Sequence, residues 1–292
     1  AKLVFTTRSS FPTNDKWEQW LAEHGPENTV SVQIGKLRQL ESQGAEVLVL
    51  TANSSDLEQM KEAVRQIESV FGSLNGVIHT AGMTGEAAFR MLEETDEELS
   101  EQHFQAKLYG LYVLDRVLAD KELDFCLLAS SLSPMLGGLG FTAYSAANHF
   151  MDAYVHDRNR RLSTAWTSVN WDGWQLEKEQ TIHGQAGASI SELLIAPEEG
   201  IELLRRVLSV REAGQIVLST GSLQDRIDKW VKRTAQEEAP LPKGDGGFYT
   251  RPALSGEYIA PVTESERRLC GMWEQFFRID RIGVLDDFFE LG

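Results

Sequence analysis

At 292 residues the chain is long enough for one large α/β domain, or for one domain plus part of another. Its 42% hydrophobic and 25% charged residues are ordinary for a globular protein, and a formal net charge of -16 argues against nucleic acid or an anionic membrane as partners. Two cysteines, Cys126 and Cys270, lie far apart and outside any Cys/His cluster, which points to reduced thiols in a cytoplasmic protein and to no metal centre. No apolar run approaches the roughly 18 residues of a membrane span, and no secretory signal opens the chain.

In chain order, Lys2 to Thr6 reads as a buried strand with no turn or helix before it, followed by Arg8-Ser9-Ser10. Residues 13–42 are predicted helical with a break around Gly25-Pro26-Glu27-Asn28. Glu46 to Leu50 is a second continuous apolar strand, and Leu57 to Phe71 an amphipathic helix. Gly76 to His79 is a third strand, ending in Thr80-Ala81-Gly82. Helix-period residues run from about Asp96 to Leu118 and carry Lys107. Phe125 to Ala129 is a fourth strand, ending in Ser130-Ser131. The Gly137-Gly138-Leu139-Gly140 loop leads into a helix from about Thr142 to Arg160, and Ala165 to Asn170 forms a fifth strand. A helix over about Pro197 to Leu208 and a strand over Gln215 to Ser219 follow.

Strands that are apolar throughout, alternating with helices, predict a Rossmann-like doubly wound parallel sheet of the α/β class. Ligands of such sheets sit beyond the carboxyl ends of the strands. Arg8, Asn53, His79 to Gly82, Ser131 and Asn170 all fall there. After about Arg233 the character changes: residues 233–262 read as a Pro-, Gly- and charge-rich linker. Thr263-Glu264-Ser265-Glu266 then matches a capping box, with Leu269, Met272, Trp273, Phe276 and Phe277 on one helix face. One helix and a loop cannot bury that face alone, so residues 263–292 are expected to be a fragment of a second domain.

The chemistry concentrates in Tyr144-Ser145-Ala146-Ala147-Asn148. Tyr144 and Asn148 lie one turn apart on one helix face. Reducing a carbonyl requires a hydride donor at carbon and a proton donor at oxygen, and a phenol gives its proton more readily beside a cation. Tyr144 is the candidate donor and Lys107 the candidate cation. Ser131 is placed to hold the carbonyl oxygen, and Asn148 to keep lysine and phenol in register.

These residues, with the stretches LVFTTRSS, EVLVLTANSSD, LNGVIHTAG, QAKLYGLYVL, LLASSLS, GFTAYSAANHFMDAY and SVNWDGW, resemble the ketoreductase domain of modular polyketide synthases, a branch of the short-chain dehydrogenase/reductase family. The resemblance covers about residues 1–232. In most single-domain members of that wider family a lysine stands four residues after the tyrosine and the asparagine comes earlier; here Asn148 holds the later position and Lys107 the earlier one, as in the synthase ketoreductases. The resemblance implies NADPH as cofactor, with Arg8 holding the 2′-phosphate, Asn53 and Ser54 beside the adenine, Thr80, Ala81 and Gly82 allowing close backbone approach, and Asn170 closing the last strand end. It implies a mobile lid over about Trp174 to Leu194. Thr84-Gly85-Glu86 and Leu136 stand at positions that mark alcohol stereochemistry in some members, and leave it undetermined.

The family's first strand and its glycine-rich phosphate turn would precede Lys2, so the catalytic domain is expected to be N-terminally incomplete as written. The tail, with Tyr258-Ile259-Ala260-Pro261, Trp273 and Ile282 to Gly292, resembles the start of an acyl or peptidyl carrier domain. The resemblance thus implies reduction of a β-keto group on an acyl thioester tethered to a phosphopantetheine-bearing carrier domain, alongside other synthase domains. Three rivals stand beside this reading: an α-keto acyl reductase in a nonribosomal peptide synthetase module, a catalytically silent structural fragment, and a free-standing dehydrogenase of small alcohols.

Overall fold

The computed structural model describes residues 1–83, 89–162, 165–175, 193–210, 213–232, 248–252, 254, 258–287 and 291. It divides into two compact units, residues 1–170 with 211–216, and residues 171–210 with 217–292.

In the first unit, β1 (Lys2–Thr7) pairs in parallel with β2 (Glu46–Thr51), Lys2 opposite Glu46 and Thr7 opposite Thr51. Between them come α1 (Trp17–His24) and α2 (Thr29–Ser42). Asn28, in extended conformation, caps α2 by accepting from the Val30 and Ser31 amides, so the predicted break is an N-cap. Trp17, Ile34, Leu37 and Val47 form the core of this corner.

A four-stranded sheet in the order β3-β4-β5-β6 follows, from β3 (Gly76–His79), β4 (Phe125–Ser131), β5 (Thr167–Trp171) and β6 (Gln215–Val217). β3 and β4 are parallel, His79 opposite Leu128. Helix α3 (Leu57–Phe71), capped by Asp56 accepting from the Gln59 amide, buries Met60, Ala63, Val64 and Ile67 at helical spacing. Met60, Ala63 and Val64 join Leu111, Leu114, Leu128, Met151, Val155 and Trp166 in the main core. The fold is therefore α/β with parallel strands, as the alternation of apolar strands and helices predicts. Its sheet, however, is split: β1 and β3 are not hydrogen-bonded to each other, and both present apolar side chains outward, Phe5 40% and Ile78 48% exposed. Among the described residues no strand pairs with both β1 and β3.

The helix predicted over about residues 96–118 is three pieces: α4 (Glu97–Phe104), a π-turn (Gln105–Tyr109) and α5 (Gly110–Val117). Helices α6 (Ser133–Leu136) and α7 (Thr142–Arg161) follow β4. A buried cluster anchors the far end of α7. Arg158 donates to Asp115 at 2.6 Å, Tyr154 donates to Asp115 at 2.7 Å, and the guanidinium lies 4.1 Å from the Trp166 ring centre.

In the second unit, α8 (Pro197–Ser209) begins where Glu199 accepts from the Ala196 amide, and α9 (Leu223–Arg226) runs into a π-turn (Ile227–Val231). Arg226 and Asp172 form a buried ion pair that Thr220 joins. The predicted capping box is present at α10 (Glu264–Phe277): Thr263 accepts from the Glu266 amide while the Glu266 carboxylate accepts from the Thr263 amide. Phe277, Ile279, Ile282 and Leu291 make a small core, with Arg251 bidentate on a buried Asp286. Leu269, Met272, Trp273 and Phe276 remain exposed on α10. Most of the expected linker (233–247, 253 and 255–257) lies outside the described residues.

Candidate active site

Four elements of the first unit converge at the carboxyl edge of the β3–β4–β5 strands. Strand β4 ends at Ser131, whose hydroxyl accepts from the Ser133 amide at 3.1 Å as the chain turns into α6. Helix α7 then presents Tyr144 and Asn148 one turn apart. The Asn148 side chain, fully buried, donates to the Tyr144 carbonyl at 2.9 Å, pinning the turn that carries the phenol. The Asn148 amide oxygen is buried and takes no hydrogen bond among the described residues. The Tyr144 ring is packed edge-on by Phe89, His103 and Phe141, with ring centres 5.6, 5.9 and 5.8 Å away. These contacts fix its direction without using its hydroxyl.

Lys107 sits in the π-turn between α4 and α5. A π-turn adds one residue to the helical circuit and redirects the side chain it carries, a device common at functional sites. Only 5% exposed, Lys107 donates to the Ala129 carbonyl at 3.2 Å, and its ammonium lies 5.8 Å from the Tyr144 ring centre. Burial pushes the Lys107 ammonium down to about 8, while the carboxylate of Asp152 pulls the other way. The π-turn is itself held by His79, whose ring nitrogen bonds the Ala106 carbonyl at 3.2 Å. Burial first and the Lys107 charge second hold His79 near 4, so it stays neutral and serves as a donor. Two glycines permit this close packing: a side-chain carbon at Gly82 would stand 3.2 Å from Lys107 Cε, and one at Gly110 3.2 Å from the Ser54 hydroxyl.

The structure sets Lys107 and Asn148 against Tyr144 and leaves Ser131 at the end of β4, two residues beyond the Ala129 carbonyl that Lys107 engages. Arg8 is exposed just after β1, and Asn53 and Ser54 follow β2. The Asn53 side-chain amide oxygen accepts from the Ser55 amide and hydroxyl, closing the turn into α3. Thr80 and Gly82 are exposed past β3, with Ala81 half-buried between them. Asn170 is fully buried in β5, and its amide is engaged at both ends by protein groups. It therefore acts from below the site. Thr84-Gly85-Glu86 and residues 176–192 of the expected lid lie outside the described residues.

Sequence reasoning passed over Phe89, His103 and Phe141, which cage the phenol, and Asp152, which lies beneath; it placed His79 at a strand end without its role in bracing the π-turn. Only Asp152 left a usable signal: it follows Asn148 by four residues on the stripe that Tyr144 begins. No helix among the described residues is long and apolar enough to cross a membrane.

Residues 1–176 match the family model described as the KR domain. Among curated proteins, the chain is 29% identical over 223 residues to polyketide synthase PksN of Bacillus subtilis (strain 168), covering 74% of this chain and 4% of that protein. It is 30% identical over 224 residues to PksM of the same organism, covering 75% and 5%. The chain thus spans a small part of the length of these relatives. Among solved structures, a ketoreductase domain from the bacillaene assembly line superposes with TM-score 0.61 at 27% identity, over 79% of this chain and 52% of that one. An N-terminal ketoreductase from the macrolactin assembly line gives 0.59 at 27%, over 78% and 41%. A Burkholderia cenocepacia short-chain dehydrogenase in complex with NADP, 15% identical with TM-score 0.57 over 75% and 96%, shares the fold. The chain belongs to the KR domain family.

Proposed function

We propose that the chain supplies the catalytic half of an NADPH-dependent ketoreductase that reduces a β-keto group on a carrier-tethered acyl thioester to a hydroxyl within a polyketide synthase. The observation that carries this reading is the convergence of Lys107, Ser131, Tyr144 and Asn148, from three separate elements, on one strand edge. The polyketide synthases PksN and PksM, similar over three quarters of the chain, support the setting.

The bound cofactor supplies the hydride. The chain's own residues do the rest. Ser131 hydrogen-bonds the substrate carbonyl oxygen and holds it toward the phenol. Tyr144 transfers its hydroxyl proton to that oxygen as negative charge develops there. Lys107 contributes positive charge from a dry setting, where it acts at greater strength than in water. Asn148 holds the α7 turn in place.

The residues present fit two parts of the cofactor. Exposed Arg8 suits a 2′-phosphate, and the open backbone of Thr80 to Gly82 allows a flat ring to approach the strand end. No glycine-rich pyrophosphate turn of the expected kind occurs among the described residues. The exposed apolar face of α10 and the resemblance of its surroundings to a carrier domain support a carrier domain as partner.

The test is label transfer in the full-length protein. Reduction of a β-ketoacyl thioester, or of trans-1-decalone as surrogate, with NADPH deuterated at C4 is expected to place the label on the new carbinol carbon. Unlabelled alcohol, or no alcohol, contradicts the proposal.

A further inference from the structure

Beneath the four residues lies a buried acid that the scheme above does not use. Tyr144, Asn148 and Asp152 succeed one another by four residues along α7, so they share a stripe. Asp152 is 7% exposed, and its two oxygens are taken by two residues of β5 that point to the same sheet face. One oxygen accepts from the Ser168 hydroxyl and the other from the Asn170 amide at 2.9 Å. The same Asn170 nitrogen reaches the Ser130 hydroxyl at 3.0 Å and the Ser131 carbonyl at 2.7 Å. Gln215 donates to the Asn170 oxygen at 2.8 Å and so fixes which end of that amide faces Asp152. A continuous chain of hydrogen bonds therefore joins Asp152 to the backbone of the serine at the substrate edge.

A buried carboxylate is costly unless its charge is used. The nearest use is Lys107. Lys107 is at least as buried; among the described residues its ammonium has one hydrogen-bond acceptor, the Ala129 carbonyl, and forms no ion pair. The titratable groups shown to interact with it are His79 from β3 and Tyr144 and Asp152 from α7; His103 of α4 packs on the Tyr144 ring, and β5 supplies Asp152 with two uncharged donors, Ser168 and Asn170. Among these, Asp152 is the carboxylate. Resting on the proposed function, we infer that Asp152 is a positioning residue with two tasks: its charge keeps Lys107 protonated across the interior, and its hydrogen bonds through Asn170 hold the Ser131 end of β4 in place. Asp152 touches neither substrate nor cofactor.

The charge task is tested without catalysis. A lysine held at about 8 in the native state binds its proton in the unfolded chain first, so native stability rises with pH between about 8 and the ordinary lysine value of 10.5. Equilibrium urea unfolding of the chain, compared with a Lys107→Met variant, isolates that rise. In Asp152→Asn the rise is expected to begin about one pH unit lower, the usual size of a close opposite-charge effect. Ser168→Ala, which keeps the charge and loosens its support, is expected to lower stability and leave the starting pH in place. An unchanged starting pH in Asp152→Asn overturns the inference.

If Asp152→Asn alone does not fold at neutral pH, the double variant with Lys107→Met is the decisive comparison, because an uncompensated ammonium no longer remains. The double variant is expected to be more stable than Asp152→Asn; equal instability overturns the inference. In the full-length protein, the basic limb of kcat/KM for ketone reduction should move down by the same pH interval, about a fivefold loss at pH 8 with little change at pH 6. A shifted unfolding profile with an unshifted rate profile would leave the Asp152–Lys107 pairing standing and count against the catalytic role of Lys107.

Discussion

The ammonium of Lys107 lies 5.8 Å from the centre of the Tyr144 ring, although the two residues belong to different helices and are separated by a strand. The contact depends on a π-turn that swings the lysine inward and on a glycine, Gly82, that leaves room for its stem. It places a buried cation beside a phenol whose direction is fixed by three aromatic neighbours. That is the arrangement a proton donor to a carbonyl requires.

Such a cation is a cost to the fold. Burial holds Lys107 at about 8 against an ordinary 10.5, so at pH 7 the native state carries a charge it would shed more readily than the unfolded chain. Lys107→Met is therefore expected to raise stability at pH 7 by up to about 3 kcal/mol while abolishing efficient reduction. Denaturant unfolding alongside turnover checks both halves. A destabilised Lys107→Met protein would show that the lysine is held by more than its charge.

His79 predicts the acid behaviour. It is held near 4 in the fold against an ordinary 6.5, so the unfolded chain takes up the proton first. The contribution is complete above pH 6.5 and is lost as pH falls toward 4, up to about 3 kcal/mol in all. His79→Gln, which retains a donor toward the Ala106 carbonyl, should remove this part of the pH slope. Unfolding free energies between pH 4 and 7 give the comparison, and parallel slopes in the two proteins would contradict it.

Gly138 governs the aromatic cage. Its φ is 154°, and a side-chain carbon there would stand 2.4 Å from the Phe141 ring, which packs against both Phe89 and Tyr144. Gly138→Ala must displace that ring and strain the loop, at about 1–3 kcal/mol. The expected kinetic signature is a fall in kcat larger than the change in KM, because the ring aims the phenol. Ordinary kcat with lowered stability would confine Gly138 to a structural role.

The Arg158–Asp115 pair gives a prediction remote from the chemistry. Arg158 is 4% exposed at its side chain, and Asp115 accepts from both its guanidinium and the Tyr154 hydroxyl, so Asp115→Ala strips an acceptor from two donors of one buried cluster. Asp115→Ala is expected to cost about 3–5 kcal/mol, with little dependence on salt. Chemical denaturation at low and high ionic strength measures this directly.

Much of this was legible before any coordinates. Continuous apolar strands pointed to the parallel α/β class, and the four-residue spacing of Tyr144 and Asn148 set them one turn apart on α7. The π-turn was not legible, because the helical pattern of residues 96–118 runs through it and one extra residue in a turn leaves no compositional mark. Phe89, His103 and Phe141 read as ordinary core residues, since what distinguishes them is contact across elements. Asp152 could have been found from its position on the Tyr144 stripe, yet an acid on a helix is usually solvated. Asn170 was placed at a strand end by pattern, and its full burial became visible only when the Ser130, Asp152 and Gln215 side chains were seen to enclose it.

The most direct measurement is ketone reduction by Tyr144→Phe in the full-length protein, with NADPH binding followed separately by fluorescence. Removing a positioned proton donor costs about 10²–10⁴ in rate, so kcat should fall by that factor while cofactor affinity and folded stability stay close to the parent. A Tyr144→Phe protein that binds NADPH and reduces the β-ketoacyl thioester at the parent rate would contradict the assignment of Tyr144 as proton donor.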